Sequence, residues 1–105
     1  MKIWSGNWEG KAAPRIVCAA CLSGELLAVG PRHHDSTMRR QIDMFGTSGF
    51  SVWGEEPVIQ GFIDQFGDFY DRQEAWKIAE ANGQIIRGCG GDSAKGGTLY
   101  SENLY

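Results

Sequence analysis

The stretch that most restricts the fold is DRQEAWKIAEANGQ, residues 71–84. Asp71 and Glu74 stand three apart, as the two members of a capping box do, with aspartate replacing the usual serine or threonine. Ala75, Ile78, Ala79 and Asn82 follow at helical spacing, and Gly83 is placed to end the helix in the left-handed conformation. A helix is therefore expected here. Upstream, RIVCAACLSGELLAVG is two apolar runs around Ser23, Gly24 and Glu25, which predicts a β-hairpin over about residues 14–30. Pro31 stops that strand, and Asp35 or Ser36 can cap a further helix reaching about Ile42 or Phe45, with Met38, Ile42 and Phe45 on one face.

The remaining segments fill in between. GTSGFSVWGEEP is read as a glycine-rich loop with an aromatic knot at Phe50 and Trp53, VIQGFID as a strand, and QFGDF as the turn that ends it. QIIRG is expected to be a strand, CGGDSAKGG a flexible loop, and TLYSENLY a short closing strand or turn. Residues 1–13 carry two tryptophans among glycine and polar residues and are read as an arm or irregular first strand. The order predicts one α+β domain over residues 1–105, a mostly antiparallel sheet with two helices packed on one face.

Composition narrows the function classes. With 22% charged and 42% hydrophobic residues, a 105-residue chain has the balance of a globular domain. Its net charge of −3 argues against wrapping long nucleic acid, which needs a strong positive field, but leaves room for a small anionic ligand. No apolar run approaches the roughly 18 residues of a membrane span, and Met1 is not followed by a signal-peptide pattern, so a cytosolic protein with no membrane partner is expected. Cys18 and Cys21 form a CxxC, yet Cys89 is the only other cysteine, and a structural zinc site needs four ligands. Within the apolar hairpin they read as small hydrophobes, with no metal or cofactor implied.

The densest chemistry lies in VGPRHHDSTMRRQ, residues 29–41. His33, His34 and Asp35 are consecutive, so they point in opposite directions on a strand and about 100° apart on a helix, which disfavours one shared metal ion. Neither Ser36 nor Ser101 sits in a nucleophile-elbow pattern. Anion binding fits the order better: Arg32, His33 and His34 precede a helix whose first turn presents free N–H groups, and Arg39 or Arg40 can face the same side. The plainer alternative makes the histidines polar residues at a helix entrance, the arginines solvated and Met38 core. The glycine-rich GCGGDSAKGG lacks the GxxxxGK[ST] spacing of a phosphate loop and reads as a mobile connection.

Taken in order, GPRHHDSTM, QGFIDQFGDFYDRQEAWKIAEANGQII and GTLYSENLY resemble small phage-encoded proteins, and more narrowly the Thoeris anti-defence family of nucleotide sponges, first type. The resemblance covers about residues 14–105; residues 1–13 have no counterpart in it. It implies a non-enzymatic homodimer or dimer-based hexamer in the cytoplasm of an infected bacterium. Such a protein sequesters cyclic ADP-ribose isomers made by immune sensors, with cyclic trinucleotides held by some members at separate sites. A sponge needs affinity without turnover. Arg32, His33 and His34 are then candidates for the phosphates, and Phe69, Tyr70 and Tyr100 for the base. Thr98, Ser101 and Glu102 are candidates for the ribose hydroxyls, and Met38 joins the contacts from the first motif. Aromatics beside strands usually bury themselves, so two of the three are expected in the core. Arg72 can pair with a nearby acid, and Trp76 fill the core or a subunit interface. Two alternatives stay open: a small hydrolase or phosphodiesterase using a His and Asp pair, and a structural or interaction protein whose contact is the Trp4 and Trp8 arm.

Overall fold

The computed structural model describes residues 13–45 and 53–105. The expected arm, apart from Ala13, and the Phe50 part of the aromatic knot lie outside them. Four strands, β1 (Ile16–Ser23), β2 (Leu26–Gly30), β3 (Val58–Asp64) and β4 (Phe69–Asp71), form an antiparallel sheet in the order β2-β1-β3-β4. Helices α1 (Ser36–Phe45) and α2 (Arg72–Ala81) complete the α+β fold, as the sequence pattern predicts.

Cross-strand partners in an antiparallel pair share a face of the sheet. Ala19 is opposite Phe62, and Phe62 is opposite Tyr70, so these three share a face, which α2 covers with Ala75, Ile78 and Ala79. Cys21 is two residues on from Ala19 and opposite Ala28, and Met38 of α1 packs against this pair. Both helices therefore sit on the same face, α1 over the β2 side and α2 over the β3 and β4 side. Ile16 reaches that face only because of a register irregularity between Ile16 and Cys18, which gives β1 one extra residue opposite β3. Without it, the odd spacing from Ile16 to Ala19 would turn Ile16 outward.

The start of α2 is built as its sequence predicts. Asp71 accepts from the amides of Gln73 and Glu74, Glu74 reaches back to the Asp71 amide, and Gly83 follows the helix at φ +66°. The α1 entrance uses the same chemistry, since the Asp35 carboxylate accepts from the amides of Arg32 at 3.1 Å and Met38 at 2.9 Å.

Two local expectations are corrected. Residues 84–88, QIIRG, form no strand. Gln84 instead offers its side-chain amide to β1, accepting from the Ile16 amide at 3.0 Å and donating to the Ile16 carbonyl at 2.9 Å, which replaces a backbone ladder. The glycine-rich connection expected to be mobile is fastened: Asp92 accepts from the Cys89 amide and from Asn103 Nδ2, its carbonyl accepts from the Thr98 amide, and Gly97 packs against the Trp76 indole. The closing segment takes the second of its two expected forms, turning through a 3-10 helix at Ser101–Asn103. Trp53, the described part of the aromatic knot, stacks on Phe45 with ring centroids 5.7 Å apart.

Gly61 marks the tightest contact of the sheet, because a Cβ there would run into the Tyr70 carbonyl oxygen and the Phe69 ring. The Tyr70 backbone, paired in the sheet, cannot give way. Gly61→Ala should therefore lower folding stability by about 3 kcal/mol or more, read as a fall in the urea unfolding midpoint.

Candidate functional site

The two helices present their N-terminal ends to the middle of the sheet, and the side chains gathered there form the most polar cluster of the described residues. Arg72, the first residue of α2, is its centre. Its guanidinium donates through Nη1 to the Leu99 carbonyl at 2.7 Å and through Nη2 to Gln60 Oε1 at 2.6 Å, and Nη2 lies 3.4 Å from His33 Nδ1. Its Cζ sits 4.7 Å above the centroid of the Tyr100 ring, within cation–π range. These partners are neutral, so the pairing with an acid expected for Arg72 is replaced by hydrogen bonds to neutral groups and an aromatic face. Burial pushes the guanidinium below its ordinary pKa, offset by the surroundings of Tyr100, Cys21 and Glu102. A positive charge drawn part of the way out of water with no counter-ion among its partners favours an approaching anion.

His33 and His34 both border this cluster, which consecutive residues would not do on a regular strand or helix. His34 adopts φ +59°, the left-handed region, and its ring lies 3.4 Å from Gln60 Nε2, while its amide donates to Met38 Sδ at 3.2 Å. His33 turns to the sheet, with Nε2 2.8 Å from the Gly61 carbonyl and its ring edge-on to Phe62 at 5.2 Å. The carbonyl can only accept, so this geometry places a proton on Nε2, and the guanidinium beside Nδ1 disfavours a second one there. Burial holds the His33 pKa below its ordinary value, and the charge of Arg72 lowers it further. Among the described residues, no group of three histidine, cysteine or acidic side chains converges to hold a metal ion.

The other expected contacts are distributed differently. Arg32 points away from the cluster to Tyr105: its guanidinium donates to the Tyr105 main-chain oxygen and lies 4.9 Å over that ring, whose hydroxyl donates to the Pro31 carbonyl at 2.7 Å. The α1 amides expected to meet a phosphate are taken by Asp35, whose carboxyl these hydrogen bonds hold below the usual range. Met38 and Tyr70 are fully buried and Phe69 nearly so, which leaves them as core. The Tyr70 hydroxyl donates to Asp64 Oδ2 at 2.9 Å inside the sheet's helix-facing side, and burial together with that carboxylate raises its pKa. Thr98 is buried with its hydroxyl donating to the Ala94 carbonyl and accepting from Gln73, and Ser101 is buried at the start of the closing turn. Glu102 is exposed, and Tyr100 is the one expected base contact at the cluster.

Gln60 and Arg72 are the residues that sequence reading did not place here. Gln60 sits in the middle of a strand motif and Arg72 directly follows a cap, so each has a ready structural explanation in the chain order. Only the register, Gln60 opposite Cys21 on the helix-facing side, reveals a polar group where an apolar one is expected.

The role of Arg32 is open to a direct check. Because it clasps Tyr105, Arg32→Ala should lower stability by about 1 to 2 kcal/mol and speed amide hydrogen exchange at Leu104 and Tyr105, with ligand affinity at the Arg72 cluster kept within about twofold. A large affinity loss without a change in exchange would place Arg32 at the ligand instead.

Neither the curated proteins nor the solved structures searched with this sequence gave a match. A family model described as phage T4 y16D protein matches residues 15–105, which spans both helices, all four strands and the whole Arg72 cluster. The chain belongs to the phage T4 y16D protein family.

Proposed function

We propose that this chain is a non-catalytic binding protein that sequesters a small phosphate-bearing nucleotide. The ligand class is cyclic nucleotide immune signals, cyclic ADP-ribose isomers first and cyclic trinucleotides second, and the consequence is a block of bacterial anti-phage defence. The observation that carries the reading is Arg72: a half-buried guanidinium with neutral hydrogen-bond partners, stacked on Tyr100, in reach of His33 and of Gln60, which itself meets His34. Such a group offers charge to a phosphate beside an aromatic ring, as a sponge requires. The choice of cyclic nucleotides comes from the resemblance of the three sequence motifs to the Thoeris sponges.

A hydrolase draws less support from the same residues. It would need a carboxylate free to orient a histidine, and Asp35 is engaged by the amides of Arg32 and Met38. Assembly as a homodimer or dimer-based hexamer belongs to the proposal, and exposed Phe66 and Ile86 supply apolar surface for it. So does action in the cytoplasm of the infected host; no helix among the described residues is long and apolar enough to cross a membrane.

The test is recovery of ligand. Purified protein is incubated with a panel of cyclic nucleotides, freed of unbound ligand and heated, and the released molecule is identified by mass spectrometry. An intact cyclic nucleotide is expected; a hydrolysed product, or nothing, overturns the reading. In calorimetry, Arg72→Ala should weaken binding by roughly ten-fold to more than a hundred-fold, and Arg72→Lys should restore only part, because lysine lacks the planar fork.

A further inference from the structure

The neutral His33 ring faces Arg72 with a bare nitrogen. Nε2–H is held by the Gly61 carbonyl at 2.8 Å, and the Nδ1 lone pair receives only a long 3.4 Å contact from Arg72 Nη2, near the limit of a hydrogen bond. Adding a proton at Nδ1 needs no ring flip and leaves the Nε2–H bond in place. What opposes that proton in the free protein is the company of the ring. Burial and the Arg72 cation of α2 weigh most and His34 adds to them, whereas the Gly61 and Ala20 backbones of β3 and β1 act the other way and Phe62 is neutral. Glu102 acts on Arg72, and no carboxylate is among the main influences on His33.

An anion seated against Arg72 reverses this balance. It neutralises the guanidinium that repels a second positive charge, and it offers an oxygen to a new Nδ1–H in place of the donor that Nδ1 faces now. We infer that capture of a phosphate-type anion beside Arg72 is coupled to uptake of one proton from solvent at His33 Nδ1, so that the site holds its ligand more tightly as the solution becomes mildly acidic. The inference rests on the binding reading above and adds its regulation. The sign follows from linkage: the complex holds the proton to a higher pH than the free protein does. Affinity therefore rises as pH falls through that interval and is constant above and below it. The burial and the Arg72 charge that keep free His33 neutral make the interval wide. Acidification within the host would strengthen retention without any change of fold.

The probe is sulfate, which stays a dianion throughout, so that no titration of the ligand enters. Ring-nitrogen NMR of the whole protein, which has two histidines, follows His33 from about pH 8 to about pH 5 with and without saturating sulfate. His33→Gln identifies the signals. In the same variant, glutamine keeps a donor for Gly61 and an acceptor for Arg72 but cannot take the proton.

The expected result is an Nε2–H tautomer in the free protein and a His33 midpoint raised by sulfate. Affinity should be about tenfold greater at the acidic end, with that pH dependence gone in His33→Gln whatever its affinity at the basic end. An Nδ1–H tautomer, or a midpoint unmoved while sulfate shifts the Arg72 and Gln60 side-chain resonances, overturns the proton coupling and leaves the anion site standing. Sulfate that shifts none of these resonances overturns both.

Discussion

Two helices rest on one face of β1, and they can do so because the side chains beneath them are small. Ala19, Cys21 and Ala28 are fully buried where the helices lie on the sheet. A close approach of backbone to backbone brings both helix starts over the middle of the sheet. Larger residues in that row would lift α1 and α2 apart and separate His33 and His34 from Arg72. The polar cluster is thus a consequence of packing: it occupies the gap that remains where two helices share a floor of alanine and cysteine.

That gap takes its charge from an economy of caps. A helix start attracts anions through its free amides, but here each start has an aspartate of its own, Asp35 for α1 and Asp71 for α2. The first-turn amides of Met38, Gln73 and Glu74 are satisfied internally. What faces the gap is therefore a side-chain cation, Arg72, held by a carbonyl, an amide oxygen and an aromatic ring. An arginine with acidic partners would be an internal ion pair with little left for a ligand; one with neutral partners keeps its attraction for an anion.

The closing residues hold this arrangement from the outside. Leu99 supplies the carbonyl for Arg72, Tyr100 the ring beneath it, and Tyr105 the partner of Arg32, so a single seven-residue stretch touches the entrances of both helices. Asn103 ties that stretch to the glycine-rich connection through Asp92 and the Arg87 carbonyl, which keeps the connection against the body of the domain. Sequence order separates these contacts by up to 73 positions.

The sequence by itself determined what short-range physics controls. The hairpin, both helices, β3 and the capping box at Asp71 follow from turn residues, period and cap chemistry acting within a few residues, and they could be read from the chain. It also determined that Arg32, His33 and His34 would stand together at the α1 entrance. Tertiary structure alone decided where each then points. Met38, Phe69 and Tyr70 went into the core because the register set them against the sheet. Arg32 was drawn to Tyr105. His33 and His34 reached one cluster through a left-handed turn at His34 that no local pattern announces. Gln60 and Arg72 joined them because strand pairing and helix packing brought together groups twelve residues apart. A strand predicted at residues 84–88 failed for the same reason, since Gln84 found its partner in Ile16, 68 positions away. Local propensity fixes which elements form, whereas the partners of a long polar side chain depend on distances that exist only once the sheet is paired and both helices are seated on it.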